Sequence, residues 1–407
     1  MHIIAAATSV GGLGLVHVVR YSGEPIAPVV LGTMALLCFP LLSVALAGSG
    51  YRGDRVVLPL AGALAGLGLI EVYRLQPGLL VRQVAWIAIG CGVLLATFHL
   101  ARDVQRVYRV RAAAAGLAVL FLLSTVIFGT TRGGARQWLD VGVASFQPSE
   151  IAKVLIVLFV ATHLGVQWAR SQGGVFAGHD LLRAFLLPAA VLAASAALLV
   201  AQRDLGGATL SYAVFLLLAY VASGRVSYVV FGIGAALVAG IIGYETLPHV
   251  RLRIDAWLNP WDDVAGSGYQ TIQALFALGS GGLLGTGLGL GHPELVPAAH
   301  TDLVFIAVAE ELGLVGAAAT IGLFALLTVR GIDIAAVTKV APAKLLAAGL
   351  TALLAVQGLL ILGGSTRMLP LTGVTLPFVS YGGSSMVSNL ALLGLLLALS
   401  DAASRDD

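Results

Sequence analysis

Charge is what this sequence has least of. Lys, Arg, Asp and Glu make up 11% of its 407 residues, where a soluble domain carries about 25%. A folded chain with so few charges would leave too much apolar surface in water, so a soluble enzyme is excluded. The net charge of +3 is too small to gather an anionic polymer, which excludes a nucleic-acid partner. Cysteine is nearly absent. Cys38 and Cys91 both sit inside apolar runs, so neither a disulfide framework nor a cysteine-held metal is credible. No G-x-S-x-G elbow prepares a serine nucleophile, and His292 and His300 lack a zinc-ligand pattern. The glycines of 281–291 miss the G-x-G-x-x-G spacing and follow no strand, which rejects a dinucleotide site. No internal repeat stands out, which weakens an inverted-repeat transporter.

What is present is apolar. Residues AVILMFWYC reach 58%, glycine numbers 51, and the mean hydropathy is +0.97. Glycine enrichment without a G-X-Y period suits closely packed transmembrane helices. Runs long enough to cross the bilayer occur twelve times: 3–19, 27–49, 56–74, 83–100, 112–129, 150–168, 184–201, 205–223, 226–247, 303–329, 341–363 and 383–400. The expected fold is therefore an all-α helical bundle of twelve spans. The N-terminus lacks a charged n-region, so the first run reads as a span and not a leader. Basic residues, such as Arg102, Arg106, Arg109 and Arg111, are denser in the connections on the N-terminal side. The positive-inside rule then predicts that both termini are cytoplasmic. Three long polar connections, 130–149, 248–302 and 364–382, fall together on the opposite, outer face. Long loops in a compact domain are usually functional.

Ionisable groups in or beside spans are costly and invite a reason. Glu150 and Lys153 follow Pro148 at a helix start and share one face at i,i+3. They read either as a structural ion pair or as a polar wall lining a cavity. Gln202, Arg203 and Asp204 form a tight turn between two spans. They read either as an interfacial ion pair or, through Arg203, as a phosphate contact. Asp302 stands at the mouth of a long span, as a helix cap or as something more. Glu310 and Glu311 lie deeper in that span; they pair with cations, stay neutral or face a wet cavity. Trp257 and Trp261 look like an interfacial anchor, and residues 269–279 like a short apolar helix. Prolines and paired glycines break the segment 369–389, where Ser380, Ser384 and Ser385 are candidate hydrogen-bond donors.

Five segments together, GARQWLDVGVASFQPSEIAK, QRDLGGATL, LNPWDDVAGSGYQTIQALFALGSGGLLGTGLG, AAHTDLVFIAVAEELGLVG and LPLTGVTLPFVSYGGSS, resemble the SEDS family of bacterial cell-wall synthesis, the RodA and FtsW proteins. The resemblance runs in order over about 56–400 and is more RodA-like than FtsW-like. It implies a ten-span core at 51–400 with an extracytoplasmic loop at 248–302, two extra helices at 1–50 and a cytoplasmic tail at 401–407. The implied activity is peptidoglycan glycosyltransferase: lipid II polymerised into glycan strands at the outer face of the cytoplasmic membrane, beside a class B penicillin-binding protein that cross-links them. The family's essential acid falls on Asp302 in His300-Thr301-Asp302. Substrate or pyrophosphate contacts fall on Arg136, Trp138, Glu150, Lys153, Arg203, Asp204, Gln270, His300, Thr301, Tyr381, Ser384 and Ser385. No built-in metal site or resident cofactor is implied, though a divalent cation, Mg or Mn, could share the pyrophosphate charge. Two departures stand out: Arg203-Asp204 where the family often has Pro-Asp, and Ile361 where many members carry Asn. A lipid II flippase and a non-catalytic partner of the transpeptidase are the rival readings.

Overall fold

The computed structural model describes residues 1–132, 134–142, 144–170 and 179–405. Fifteen α-helices are defined among them: α1 (His2–Arg20), α2 (Ala27–Gly48), α3 (Val57–Leu75), α4 (Leu80–Ala101), α5 (Val104–Arg109), α6 (Arg111–Phe128), α7 (Pro148–Arg170), α8 (His179–Ala201), α9 (Leu205–Ser223), α10 (Val226–Thr246), α11 (Pro248–Leu258), α12 (Tyr269–Gly281), α13 (Val304–Val337), α14 (Ala341–Ser365) and α15 (Gly383–Ala403). Among the described residues, twelve helices are long and apolar enough to cross a membrane. They coincide with the twelve expected spans to within a few residues, apart from the longest.

Local chemistry sets several boundaries. Pro148 opens α7, where its missing N–H costs nothing, and Glu150 favours the positive end of the helix dipole. Asp204 caps α9 by accepting from Gly207 N at 2.8 Å. That cap lets α8 and α9 turn back within three residues. The span expected to end at 329 continues to Val337 but breaks at Gly313 (φ 65°, ψ −163°). The chain after α12 fills the break: Leu314 N donates to Gly282 O at 3.0 Å and Val315 N to Leu283 O at 3.2 Å. The expected tail is shorter than 401–407, because α15 runs to Ala403 and buries Asp401 beside Arg102 and Arg405. Its last two residues lie outside the described ones.

The all-α expectation holds for the bundle, with one addition. The described residues between 130 and 146 include a small antiparallel sheet of β1 (Thr130–Arg132), β2 (Ala135–Val141) and β3 (Ala144–Phe146), in the order β1-β2-β3. Thr130 pairs with Trp138, and Leu139 with Phe146.

The core runs through α4, α7, α14 and α15, which pack most extensively. Helices α1 and α2 lie against α3 and α4 at one side of it. The expected short apolar helix is α12, and it packs on α13. Residues of segments 248–302 and 364–382 line one cavity together with residues of the small sheet.

Candidate active site

Asp302 is carried by a loop fixed from two directions. Behind it, Leu303 N donates to Ala298 O, and Val296, Ala299, Leu303 and Ile306 pack on Ala274 and Ala277 of α12. In front, the loop before α15 grips the same segment. Ser380 Oγ donates to Thr301 O at 2.5 Å, and Tyr381 N donates to His300 O at 2.9 Å. The irregular backbone is satisfied because each loop hydrogen-bonds the other.

Two cavities meet at Asp302. The larger, about 760 Å³, is lined by Arg82, Trp86, Gln137, Trp138, Arg253, His300, Thr301, Asp302, Thr375, Tyr381, Ser384 and Ser385 among others. Ile89 of α4, 49% exposed, is among its lining residues. The smaller, about 220 Å³, is lined by Arg253, Trp257, Gln270, Thr271, Asp302, Arg367 and neighbours. Asp302, Arg253 and Gly373 border both.

Arg253 is held on α11 by donating to Leu371 O and Thr372 O at 3.3 and 3.1 Å. Burial pushes the Asp302 carboxyl up to about 6, against the Arg253 guanidinium and the Thr301 hydroxyl, which pull it down. Burial holds the neighbouring His300 imidazole below its ordinary value.

Gly373 has φ +71°, where an added Cβ would stand 3.7 Å from an Arg253 nitrogen and 3.8 Å from Asp302 Oδ2. A side chain there would strain the turn and intrude between the two charged groups. Gly373→Ala should therefore destabilise the chain by about 1 kcal/mol and also weaken turnover. A thermal melt and an activity assay on the same preparation check both effects.

The family model for the FtsW/RodA/SpoVE cell cycle proteins matches residues 69–405. The chain belongs to the SEDS family. It is similar to the peptidoglycan glycosyltransferase RodA of Mycobacterium tuberculosis, 35% identical over 98% of this chain and 89% of that one. Among solved structures it is similar to a chain of a peptidoglycan synthase complex, described for its coordination of polymerization and crosslinking (TM-score 0.73, 29% identical, 87% of this chain and 98% of that one). The rod shape determining protein RodA of Thermus thermophilus is also similar (TM-score 0.61, 27% identical, 87% and 97%). The SEDS chain is accordingly a multi-pass membrane protein of RodA-like type.

Within this SEDS bundle, the expected site residues separate into groups. Asp302, His300, Thr301, Trp138, Tyr381, Ser384 and Ser385 come together around the larger cavity, and Gln270 lines the smaller. Arg136 and Arg203 do not reach either wall. Arg136 donates to Gly129 O and Ile127 O, and Arg203 to Gly134 O; both brace the small sheet. Asp204 is occupied as the α9 cap.

Glu150 and Lys153 pair at 2.9 Å but lie one layer beneath the cavity, not in its wall. Lys153 reaches Gln357 at 3.5 Å, Gln357 donates to Thr375 O, and Thr375 bonds Ser385 at 2.6 Å on the cavity floor. The i,i+3 spacing found the pair; helix rotation decided its depth. Breaking a buried pair on one side strands a charge at a cost of about 3–5 kcal/mol, whereas replacing both partners is often tolerated. Glu150→Gln should thus unfold at lower temperature than Glu150→Gln/Lys153→Met in detergent melts.

Arg253 and Arg82 are functional candidates that sequence reading passed over. Arg253 sat inside a segment read for its tryptophans, and its partners lie more than a hundred residues away. The signal available was two unassigned cations, one at the end of a span and one in a long loop.

Proposed function

We propose that this chain is a peptidoglycan glycosyltransferase that polymerises lipid II at the outer face of the cytoplasmic membrane, with Asp302 as its general base. The observation that carries the reading is the placement of Asp302 and Arg253 where the two cavities meet. One group can take a proton there while the other meets departing negative charge. The name borne by the mycobacterial relative supports the reaction class.

In the proposed step, Asp302 removes the proton of the 4-hydroxyl of an acceptor GlcNAc. The oxygen attacks C1 of a lipid-linked MurNAc from the face opposite the leaving group. A β-1,4 bond forms, the C1–O bond to undecaprenyl pyrophosphate breaks, and configuration inverts once. The proton ends on Asp302, and the leaving group carries the electron pair. A carboxyl held near 6 suits a base working at neutral pH, since it is ionised there yet more basic than an ordinary Asp. Arg253 and Arg82 neutralise the pyrophosphate as it departs. Among the described residues, no three His, Cys, Asp or Glu converge on a cation site. Arg253 and Arg82 are the cations that the cavity wall itself supplies, and a divalent cation could share the pyrophosphate charge. Lipid tails would enter from the bilayer past exposed apolar residues of the cavity lining such as Ile89. The topology has both termini cytoplasmic, and the partner is a class B penicillin-binding protein; the similarity to a synthase-complex chain supports that partner.

The decisive experiment is polymerisation of purified lipid II in proteoliposomes, with and without the partner transpeptidase. Glycan strands formed by the wild type and not by Asp302→Asn are expected. Transfer of lipid II across the bilayer without glycan formation would sink the reading in favour of a flippase.

A further inference from the structure

The two N-terminal helices contribute no residue to either cavity wall. Yet α1 ends in a side chain that reaches the loop leading to Asp302. Arg20 Nε donates to Gly289 O at 2.6 Å, and its terminal nitrogen to Gly291 O at 2.9 Å. Two loop carbonyls are thus satisfied from a helix almost 270 residues earlier.

The contact is embedded in a ladder of alternating charge. Arg20 stands 3.6 Å from Glu294, Glu294 lies 2.9 Å from Arg74 of α3, and Arg74 Nε donates to Glu311 of α13 at 2.7 Å. Arg74 also donates to Gly291 O at 2.8 Å, so both arginines converge on one carbonyl. The loop's amides in turn are received by α13. Gly289 N donates to Glu311 Oε2 and His292 N to Glu310 Oε1, both at 2.8 Å. Gly289 has φ +82°, and a Cβ there would press on Val19 at 3.2 Å, so its missing side chain lets α1 close on the loop. Two further contacts seat α1: His17 with Tyr73 at 2.8 Å, and Tyr21 with the Arg74 carbonyl at 3.3 Å.

We propose that Arg20 is a positioning residue for the reaction, and that α1 acts as a built-in strap holding segment 286–303, and with it Asp302, in register. The argument is one of restraint. The segment runs from Thr286, tied to α13, to Leu303, where α13 begins. Arg20 and Arg74 fix its middle through the carbonyls of Gly289 and Gly291. A base must be held to a fraction of an ångström to be effective. Loss of a charged donor to two carbonyls lets the segment sample other positions without removing any group that touches substrate. The inference rests on the reaction proposed above for Asp302.

The test uses the full-length chain with its partner in proteoliposomes and compares wild type, Arg20→Ala and Arg20→Lys. Lipid II polymerisation and amide exchange are measured on the same preparations. Arg20→Ala is expected to lower kcat by about tenfold, with KM for lipid II little changed. Exchange is expected to rise in 286–303 and not in the α7 and α14 core. Arg20→Lys keeps one charged donor and should recover part of both effects. Unchanged kcat, or lower kcat with unaltered exchange in 286–303, would overturn the strap, as would faster exchange spread through the whole bundle. A wild type that makes no glycan while Arg20→Ala still loosens 286–303 would leave the strap standing and remove the reaction assigned to the site.

Discussion

Asp302→Asn should lower lipid II polymerisation by about 10³-fold, within the range for removing a general base. It should leave insertion and partner binding intact. The substitution keeps the shape of the side chain and removes only its basicity, so polymerisation near the wild-type level would exclude Asp302 from the base role. The pH dependence has a definite sign. Asp302 acts ionised, and burial pushes its carboxyl up to about 6. The rate should therefore climb through pH 6 and level off above pH 7. Linkage runs the other way for stability. The carboxyl binds its proton more tightly folded than at its ordinary 3.8. Stability from this group is present below 3.8 and lost as pH rises through about 6. The melting temperature of Asp302→Asn at pH 7.5 should then equal or exceed that of the wild type. This separates loss of chemistry from loss of fold.

Arg253→Gln should cost about 10²- to 10³-fold in kcat, the scale found when one group that stabilises developing charge is removed. It should also move the acid limb of the pH–rate profile upward, because the Arg253 guanidinium pulls the Asp302 carboxyl down. A purely structural Arg253, tied only to Leu371 O and Thr372 O, would lower stability and leave the profile in place. Arg253→Lys keeps the charge but loses the planar fork, so it should restore the profile more fully than the rate. A profile identical in wild type and Arg253→Gln would detach Arg253 from Asp302.

The features legible in the sequence were those encoded by neighbouring residues. Apolar runs located the spans, Pro148 located the start of α7, and the three-residue turn at 202–204 fixed a helical hairpin. The SEDS resemblance marked His300-Thr301-Asp302, and the structure gathers Tyr381, Ser384 and Ser385 from the last of its motifs around the same cavity. What stayed hidden depends on contacts distant in sequence. The strands of 130–146 are short and polar, with no alternation long enough to announce a sheet. Pairing with buried cations was one of three options for Glu310 and Glu311. Only the fold shows that Arg74 takes Glu311, while Glu310 receives the His292 amide. Arg20 is one of two charged side chains in the first fifty residues and belongs to none of the five SEDS-like segments. No local pattern reports that the end of α1 lies beside Gly289.

The interruption of α13 at Gly313 has a mechanical meaning for a protein embedded in lipid. An unbroken rod of 34 residues would carry any tilt imposed at one membrane surface to the other. Here the rod is jointed. Both sides of the joint are tied to one segment: Thr286 N and Gly287 N donate to Glu310 O and Glu311 O before it, and Leu314 N and Val315 N donate to Gly282 O and Leu283 O after it. A tilt of the distal stretch would then be passed to segment 282–287, and so to the chain that leads on to Asp302.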